Sequence, residues 1–219
     1  MASKYDRGLL LIVPNEGQHY RLGPSSASRW LHCPGSARTD LPQYQTVHTQ
    51  RGTHLHSVVE CYLSEGIPNF EEGEDYEHAQ MCIAFAEGVP GEKRFETTFL
   101  SDLVEDFGGT IDLCSLTQES IILADWKFGK TKVLVEDNKQ LLSYAALARE
   151  TFGPKNTYEC YIVQPKVYKH PQKAVFTDEQ VVEHAQKVLE VSGQNYLVAG
   201  EHCKWCPLKP TCREYQNRK

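Results

Sequence analysis

Two acids and a lysine stand out in the middle of the chain. Asp112 falls in the run Gly109-Thr110-Ile111-Asp112-Leu113, and Asp125 and Lys127 close the run Ile121-Ile122-Leu123-Ala124-Asp125-Trp126-Lys127. Both runs are rich in β-branched and apolar residues and read as buried strands. Only residues 116–120 separate them, enough for a hairpin turn. Two carboxylates and an ammonium are therefore expected together at one end of a sheet. Magnesium and manganese prefer oxygen donors, and magnesium takes one or two carboxylates plus water and phosphate oxygens. Strand side chains alternate faces, so Asp125 and Lys127 point one way and Trp126 the other. The Trp126 backbone carbonyl is then a further candidate ligand. Lys127 can orient an attacking water and offset charge on a phosphate. Charged residues seldom sit unpaired in apolar strands, so a site for a divalent ion and a phosphodiester accounts for them better than two ordinary strand acids.

The elements that hold these residues follow from periodicity. Residues 1–24 read as irregular or weakly strand-forming. Pro24-Ser25-Ser26 opens a short helix that stops at Cys33-Pro34-Gly35. Residues 36–51 are polar and turn-rich. A helix is expected over 53–64, with Leu55, Val58, Val59 and Tyr62 on one face, and a second follows an acidic loop at 71–76 and ends near Gly88. Residues 94–100 read as a strand ahead of the two acid-bearing ones. Then come a helix over 136–150, a strand over 157–164, a long helix over 178–199 and a tail over 200–219. This order makes a mixed α/β core with helices packed on a small sheet.

Composition sets bounds. A chain of 219 residues with 40% hydrophobic content supports one domain with a real core. The net charge of −6 offers no global attraction to nucleic acid, so any DNA surface must be a local patch. The apolar run at 9–13 is too short for a secretory signal and is flanked by Arg7 and Glu16. No stretch approaches membrane-spanning length. The expectation is a cytoplasmic protein without a membrane partner.

The eight cysteines, without a secretory signal, argue for thiols or metal ligation over disulfides. Cys203, Cys206 and Cys212 form a C-x2-C-x5-C group in the tail, and Cys33 stands far upstream in Leu31-His32-Cys33-Pro34. Four such thiolates can hold a [4Fe–4S] cluster or a structural zinc. Ligated from both ends, the site would act as a clasp. Cys61, Cys82, Cys114 and Cys160 read as small buried hydrophobes. His202, beside Cys203, reads as a surface residue.

With these pieces placed, the chain resembles the iron–sulfur members of the RecB-like branch of the PD-(D/E)XK nuclease superfamily, which include CRISPR-associated RecB-like exonucleases and the AddB nuclease domain. Related reading frames are frequent in bacteriophages, which would place the protein in a host cytoplasm. Arg51-Gly52-Thr53-His54-Leu55-His56 looks like the branch's Gly-Thr-x-x-His helix start. Gly109-Thr110-Ile111-Asp112 looks like its Gly-x-x-Asp motif, Asp125-Trp126-Lys127 like (D/E)-x-K, and Gln140-Leu141-Leu142-Ser143-Tyr144 like Gln-x-x-x-Tyr. The resemblance implies a restriction-endonuclease-like core over 52–199. It also implies a cluster-binding subdomain from 24–35 and 200–219, within one nuclease domain spanning 1–219. The implied metal ligands for Mg²⁺ or Mn²⁺ are His56, Asp112, Asp125 and the Trp126 carbonyl. The implied catalytic residues are Lys127, Asp112, Asp125, Gln140 and Tyr144, and the implied iron–sulfur ligands are Cys33, Cys203, Cys206 and Cys212, with zinc as the alternative. The choice of His56 over His54 rests on the motif offset.

The activity implied is a divalent-metal-dependent DNA exonuclease acting on free or single-stranded ends. Alternatives are a non-catalytic or partner-dependent DNA-binding module and an endonuclease with a structural zinc. Trp30, Lys204, Trp205 and Arg213, with Arg29 and Lys209 nearby, could line a path for a strand. A recombination or single-strand-binding protein is a compatible partner, and an oligomer is open. Glu60 reads as a solvated or ion-paired helix residue and Glu96 as an exposed strand charge.

Overall fold

The computed structural model describes residues 11–12, 20–38, 44–45, 47–66 and 73–218. The readings for 1–10, 13–19, 39–43 and 67–72 lie outside the described residues. In chain order the regular elements are β1 (Leu11–Ile12), α1 (Ala27–Trp30), β2 (Tyr44–Gln45), α2 (Val47–Glu65), α3 (Glu74–Gly88), β3 (Glu92–Leu100), β4 (Gly108–Leu116), β5 (Ser120–Trp126), α4 (Lys139–Phe152), β6 (Thr157–Val163), β7 (Gln172–Thr177), α5 (Asp178–Ser192) and α6 (Arg213–Gln216). Short 3₁₀ turns at Pro24–Ser26, Pro34–Ser36 and Glu201–Trp205 complete the set.

The result is a mixed α/β fold around a five-stranded sheet, ordered β3-β4-β5-β6-β7. β5 and β6 are parallel; every other neighbouring pair is antiparallel. The two faces of β5 explain how the sheet is covered. Ile121 and Leu123 pack with Leu141, Ala145 and Leu147 of α4 and Val181 and Val188 of α5. Ile122, Ala124 and Trp126 pack with Leu55 and Val59 of α2 and Cys82, Ile83 and Ala86 of α3. Every residue of β5 is buried, as expected for a central strand coated on both sides.

The starts of α4 and α5 are well specified. The Asn138 side chain accepts from the backbone N–H groups of Gln140 and Leu141 at the start of α4. Thr177 and Gln180 form a capping box at the start of α5. The helix expected over 178–199 ends at Ser192 instead. Beyond it the carbonyl of Tyr196 accepts from Gly35 N, so this stretch is committed to the N-terminal segment rather than to a helix. β7 was not anticipated. It is an edge strand whose single buried side chain, Phe176, leaves little apolar alternation to read. Asp112 also sits in the middle of β4 rather than at a strand end. The β4–β5 ladder stops at Leu113–Ala124, and it is there that Asp112 meets β5.

Two assignments of environment change. Trp30, expected to line a strand path, is fully buried. Its indole donates to the Gly23 carbonyl at 2.9 Å and its ring meets Phe107 edge-on, so it is a core residue with no free face for stacking. Cys82, Cys114 and Cys160 are buried as expected, whereas Cys61 is only half-buried on α2, with its thiol facing Glu65.

Candidate active site

The acids lie in one row across three strands. In the β3–β4 ladder Phe95 pairs with Leu113 and Thr97 with Ile111, which leaves Glu96 opposite Asp112. In the β4–β5 ladder Leu113 pairs with Ala124, and the next residues outward are Asp112 and Asp125. Directly opposed residues of antiparallel strands share a face and stand about 5 Å apart at Cβ. Glu96, Asp112 and Asp125 are thus neighbours by register alone. Glu96 has φ 45°, in the left-handed region, a conformation costing a non-glycine residue about 1–2 kcal/mol.

His56 reaches the row from α2. Its Nδ1 lies 2.7 Å from Asp112 Oδ1, and its ring rests edge-on against Phe128. Asp112 Oδ2 accepts from the Trp126 backbone N–H at 2.6 Å, which ties the carboxylate to the end of β5. Among the described residues, His56, Glu96 and Asp112 offer ligand atoms that all lie within 4.8 Å of one another. His54 is exposed on the same helix.

The other half of the site is self-contained. Lys127 Nζ forms an ion pair with Asp125 Oδ2 at 2.7 Å. Gln140, on the first turn of α4, bridges the two. Its Nε2 donates to Asp125 Oδ1 at 2.7 Å and its Oε1 accepts from Lys127 Nζ at 3.1 Å. Asp125 is buried, and no hydrogen bond of good geometry reaches its Oδ2. Tyr144, one turn after Gln140, donates its hydroxyl to the Thr110 carbonyl at 2.5 Å and so braces β4 two residues before Asp112. A Cβ at Gly109 would stand 2.8 Å from Pro24 and 3.3 Å from the Tyr144 hydroxyl, which explains the glycine at this place in the motif.

Electrostatics follow the geometry. Burial, with the Asp112 and Glu60 charges, pushes Glu96 up to about 8. Burial also raises Asp125, with Lys127 pulling the other way. Burial depresses His56, but its hydrogen bond to Asp112 and the charges of Asp112, Asp125 and Glu96 outweigh that and raise it. The row without a cation is therefore self-repelling, and the oxygen and imidazole donors suit a hard divalent ion.

The sequence reading brought together His56, Asp112, Asp125, Lys127, Gln140 and Tyr144. It missed Glu96, which is a half-buried member of the row rather than an exposed charge. The available signal was the hairpin itself: once Leu100 is set against Gly108, Glu96 falls opposite Asp112.

The four candidate cluster ligands belong to the N-terminal turn and the tail. Cys33 and Cys203 are buried, and Cys206 and Cys212 half-buried. The backbone N–H of Val198 donates to Cys33 Sγ at 3.3 Å, and that of Gly200 to Cys203 Sγ at 3.4 Å. A Cβ on Gly35 would collide with the Asn195 carbonyl and lie 3.0 Å from that of Tyr196. His32 and His202 stack at 5.7 Å. The N-terminal turn and the tail are thus in contact. Trp205 is 77% exposed, with Lys204 Nζ 5.4 Å above its ring. Lys209 lies over Tyr215, and Arg213 is exposed. Arg29 donates to the Ser36 carbonyl and is bound into the N-terminal turn. No helix among the described residues is long and apolar enough to cross a membrane.

Among solved structures, the chain is similar to SSO0001, at 14% identity and TM-score 0.47, covering 92% of this chain and 90% of that one. It is similar to an Eubacterium rectale protein described as a candidate exonuclease, at 14% identity and TM-score 0.46, covering 95% and 94%. It is also similar to an alkaline exonuclease from Laribacter hongkongensis, at 11% identity and TM-score 0.36, covering 67% and 80%. A family profile spans residues 19–86 and 89–219, nearly the whole described chain, and on that match the chain belongs to the family named Protein of unknown function (DUF2800).

Proposed function

We propose that this protein is a divalent-metal-dependent deoxyribonuclease that hydrolyses phosphodiester bonds from DNA ends. The observation that carries the reading is the row Glu96–Asp112–Asp125, flanked by His56 at one end and by the Lys127 ammonium at the other. His56, Glu96, Asp112, Asp125 and the Trp126 carbonyl would hold Mg²⁺ or Mn²⁺. The bound ion would acidify a water and polarise the scissile phosphate. Lys127, steadied by Gln140, orients the nucleophile and offsets charge on the phosphate oxygens. Gln140 keeps Asp125 and Lys127 in register, and Tyr144 holds β4 against α4.

The test is end-labelled linear DNA and a closed circle incubated with Mn²⁺. Shortening of the linear strand and an intact circle are expected. Equal degradation by Asp125→Ala and wild type would sink the site assignment, and nicking of the circle would replace the exonuclease with an endonuclease.

We further propose that Cys33, Cys203, Cys206 and Cys212 bind an iron–sulfur cluster that joins residues 24–35 to 200–219 around a nuclease core at 52–199. Two of the four sulfurs accept backbone N–H bonds, the kind of contact that tunes a bound cluster. Anaerobically purified protein should be brown and carry iron. A colourless protein with one equivalent of zinc would overturn this. The exposed Trp205 with Lys204, and Arg213 beyond, offer a stacking and phosphate surface for a single strand.

A further inference from the structure

The end of the sheet beside the acid row carries a clamped basic loop. β5 and β6 are parallel, with Trp126 opposite Val163. Lys127 N donates to the Val163 carbonyl at 2.9 Å, so the chain leaves both strands side by side. Gln164, the first residue past β6, is 1% exposed. Its Nε2 donates to the carbonyls of Gly129 at 2.8 Å and Thr131 at 2.7 Å, and its Oε1 accepts from Val133 N at 3.0 Å. The Tyr168 hydroxyl donates to the Val133 carbonyl at 2.9 Å. One buried amide thus devotes three hydrogen bonds to a single loop. Packing alone would be met as well by an apolar residue, because a buried polar network is favourable only when fully satisfied.

What the loop displays gives the reason. Lys130, Thr131 and Lys132 are all exposed, and Lys132 Nζ stands 5.6 Å over the Tyr168 ring. No acid occurs from 127 to 135, nor from 164 to 174, although the whole chain carries −6. These two stretches hold Lys130, Lys132, Lys166 and Lys169, with Lys127 and Lys173 ion-paired to Asp125 and Glu159. Lysine acts on phosphate as a point charge, and phosphate contacts carry no base information. Holding the loop in one shape spares the ordering cost that a floppy lysine loop would incur on binding.

We propose that residues 128–132 form a phosphate-gripping lip, held in shape by Gln164 as a positioning residue, that seats the backbone of a nucleic-acid strand beside the acid row. This rests on the phosphodiester-cleaving reading above. The lip contributes affinity without base preference and delivers the strand to Lys127, which begins the same loop.

The test combines steady-state kinetics in Mn²⁺ with single-strand binding in EDTA across a salt series. For K130Q/K132Q, losing two phosphate contacts should flatten the slope of log affinity against log salt by about 1.4, with KM rising several-fold and more than kcat falls. Gln164→Met, close in volume, should move KM the same way. Combined with K130Q/K132Q it should add little, because it acts through those lysines. Tyr168→Phe, at a half-buried position, replaces Gln164→Met in this comparison if the latter does not fold. An unchanged slope and KM in K130Q/K132Q, with wild type cleaving DNA, overturns the lip alone. Fully additive losses overturn the role of Gln164. Wild type that leaves DNA intact in Mn²⁺ overturns the nuclease reading and the lip with it.

Discussion

The two ends of the acid row solve the same problem in opposite ways. At the β5 end, Asp125 is buried with an internal cation, Lys127, and an amide, Gln140, that satisfies both. At the β3 end, Asp112 faces a second acid, Glu96, and a half-buried histidine. One end carries its own ammonium; the other sets two carboxyl groups against each other with an imidazole beside them. The two ends are joined through the Asp112 contact to Trp126 N. The instability is concentrated where a ligand is expected to relieve it, as in other functional sites.

Substitutions can break this contrast. The largest effect is expected for Asp112→Asn. Metal-dependent cleavage should fall by at least about 10³-fold, the upper scale of a lost charge-stabilising group. Yet the melting temperature should hold or rise, since the amide oxygen still accepts from Trp126 N and the repulsion toward Glu96 and Asp125 is gone. A clear drop in melting temperature would show that Asp112 is structural.

Lys127→Met should cost about 10²–10³-fold in cleavage and, unlike Asp112→Asn, also stability. Removing one partner of a buried pair costs about 3–5 kcal/mol, and because Lys127 is 27% exposed the loss should lie below that range. Asp125 can take a proton once its cation is gone, so the deficit should shrink as pH falls. Urea unfolding of both proteins at pH 5 and pH 8 checks this, and an equal deficit at both would refute the pairing argument.

Glu96→Gln is expected to weaken Mn²⁺ affinity by about 10–100-fold, the scale of a supporting metal contact. It also carries a pH signature. Glu96 in the folded protein is raised from 4.5 to about 8, so its contribution to stability is complete below about 4.5 and lost as pH rises through about 8. Metal-free wild type should lose stability across that window relative to Glu96→Gln; parallel pH profiles would place Glu96 outside the row.

The smallest effect is expected for Tyr144→Phe. Loss of its hydrogen bond to the Thr110 carbonyl should cost about 1 kcal/mol, with cleavage reduced less than about tenfold. A loss comparable to that of Lys127→Met would make the hydroxyl a direct participant in the reaction.

Much of the site was legible because it is built from local rules. The β4–β5 hairpin is set by a short turn, alternation puts Asp125 and Lys127 on one face, and a four-residue spacing puts Gln140 and Tyr144 on one side of α4. What escaped depends on register or on distant packing. Glu96 gains its place only through pairing across Ser101–Phe107, and no propensity announces a left-handed glutamate inside a strand. Trp30 looked like a stacking surface beside basic residues, but its indole is consumed by Gly23 and Phe107. Gln164 was unremarked, because a lone glutamine at the end of a strand says nothing until the loop it holds is folded against it.

The close seat of Gly35 on Asn195 and Tyr196 has a consequence in time rather than space. Cys33 is bonded by Val198, 165 residues later, and Ser192 is held by Arg21, 171 residues earlier. Contacts of such separation form late in folding, and during synthesis the turn at residues 24–36 cannot dock until residues 192–198 have emerged. Pro24 of that turn lies against Gly109, three residues before Asp112. The backing of the acid row is therefore assembled only after residues 192–198 are in place, and a nascent chain that lacks them reaches only as far as an unbraced site.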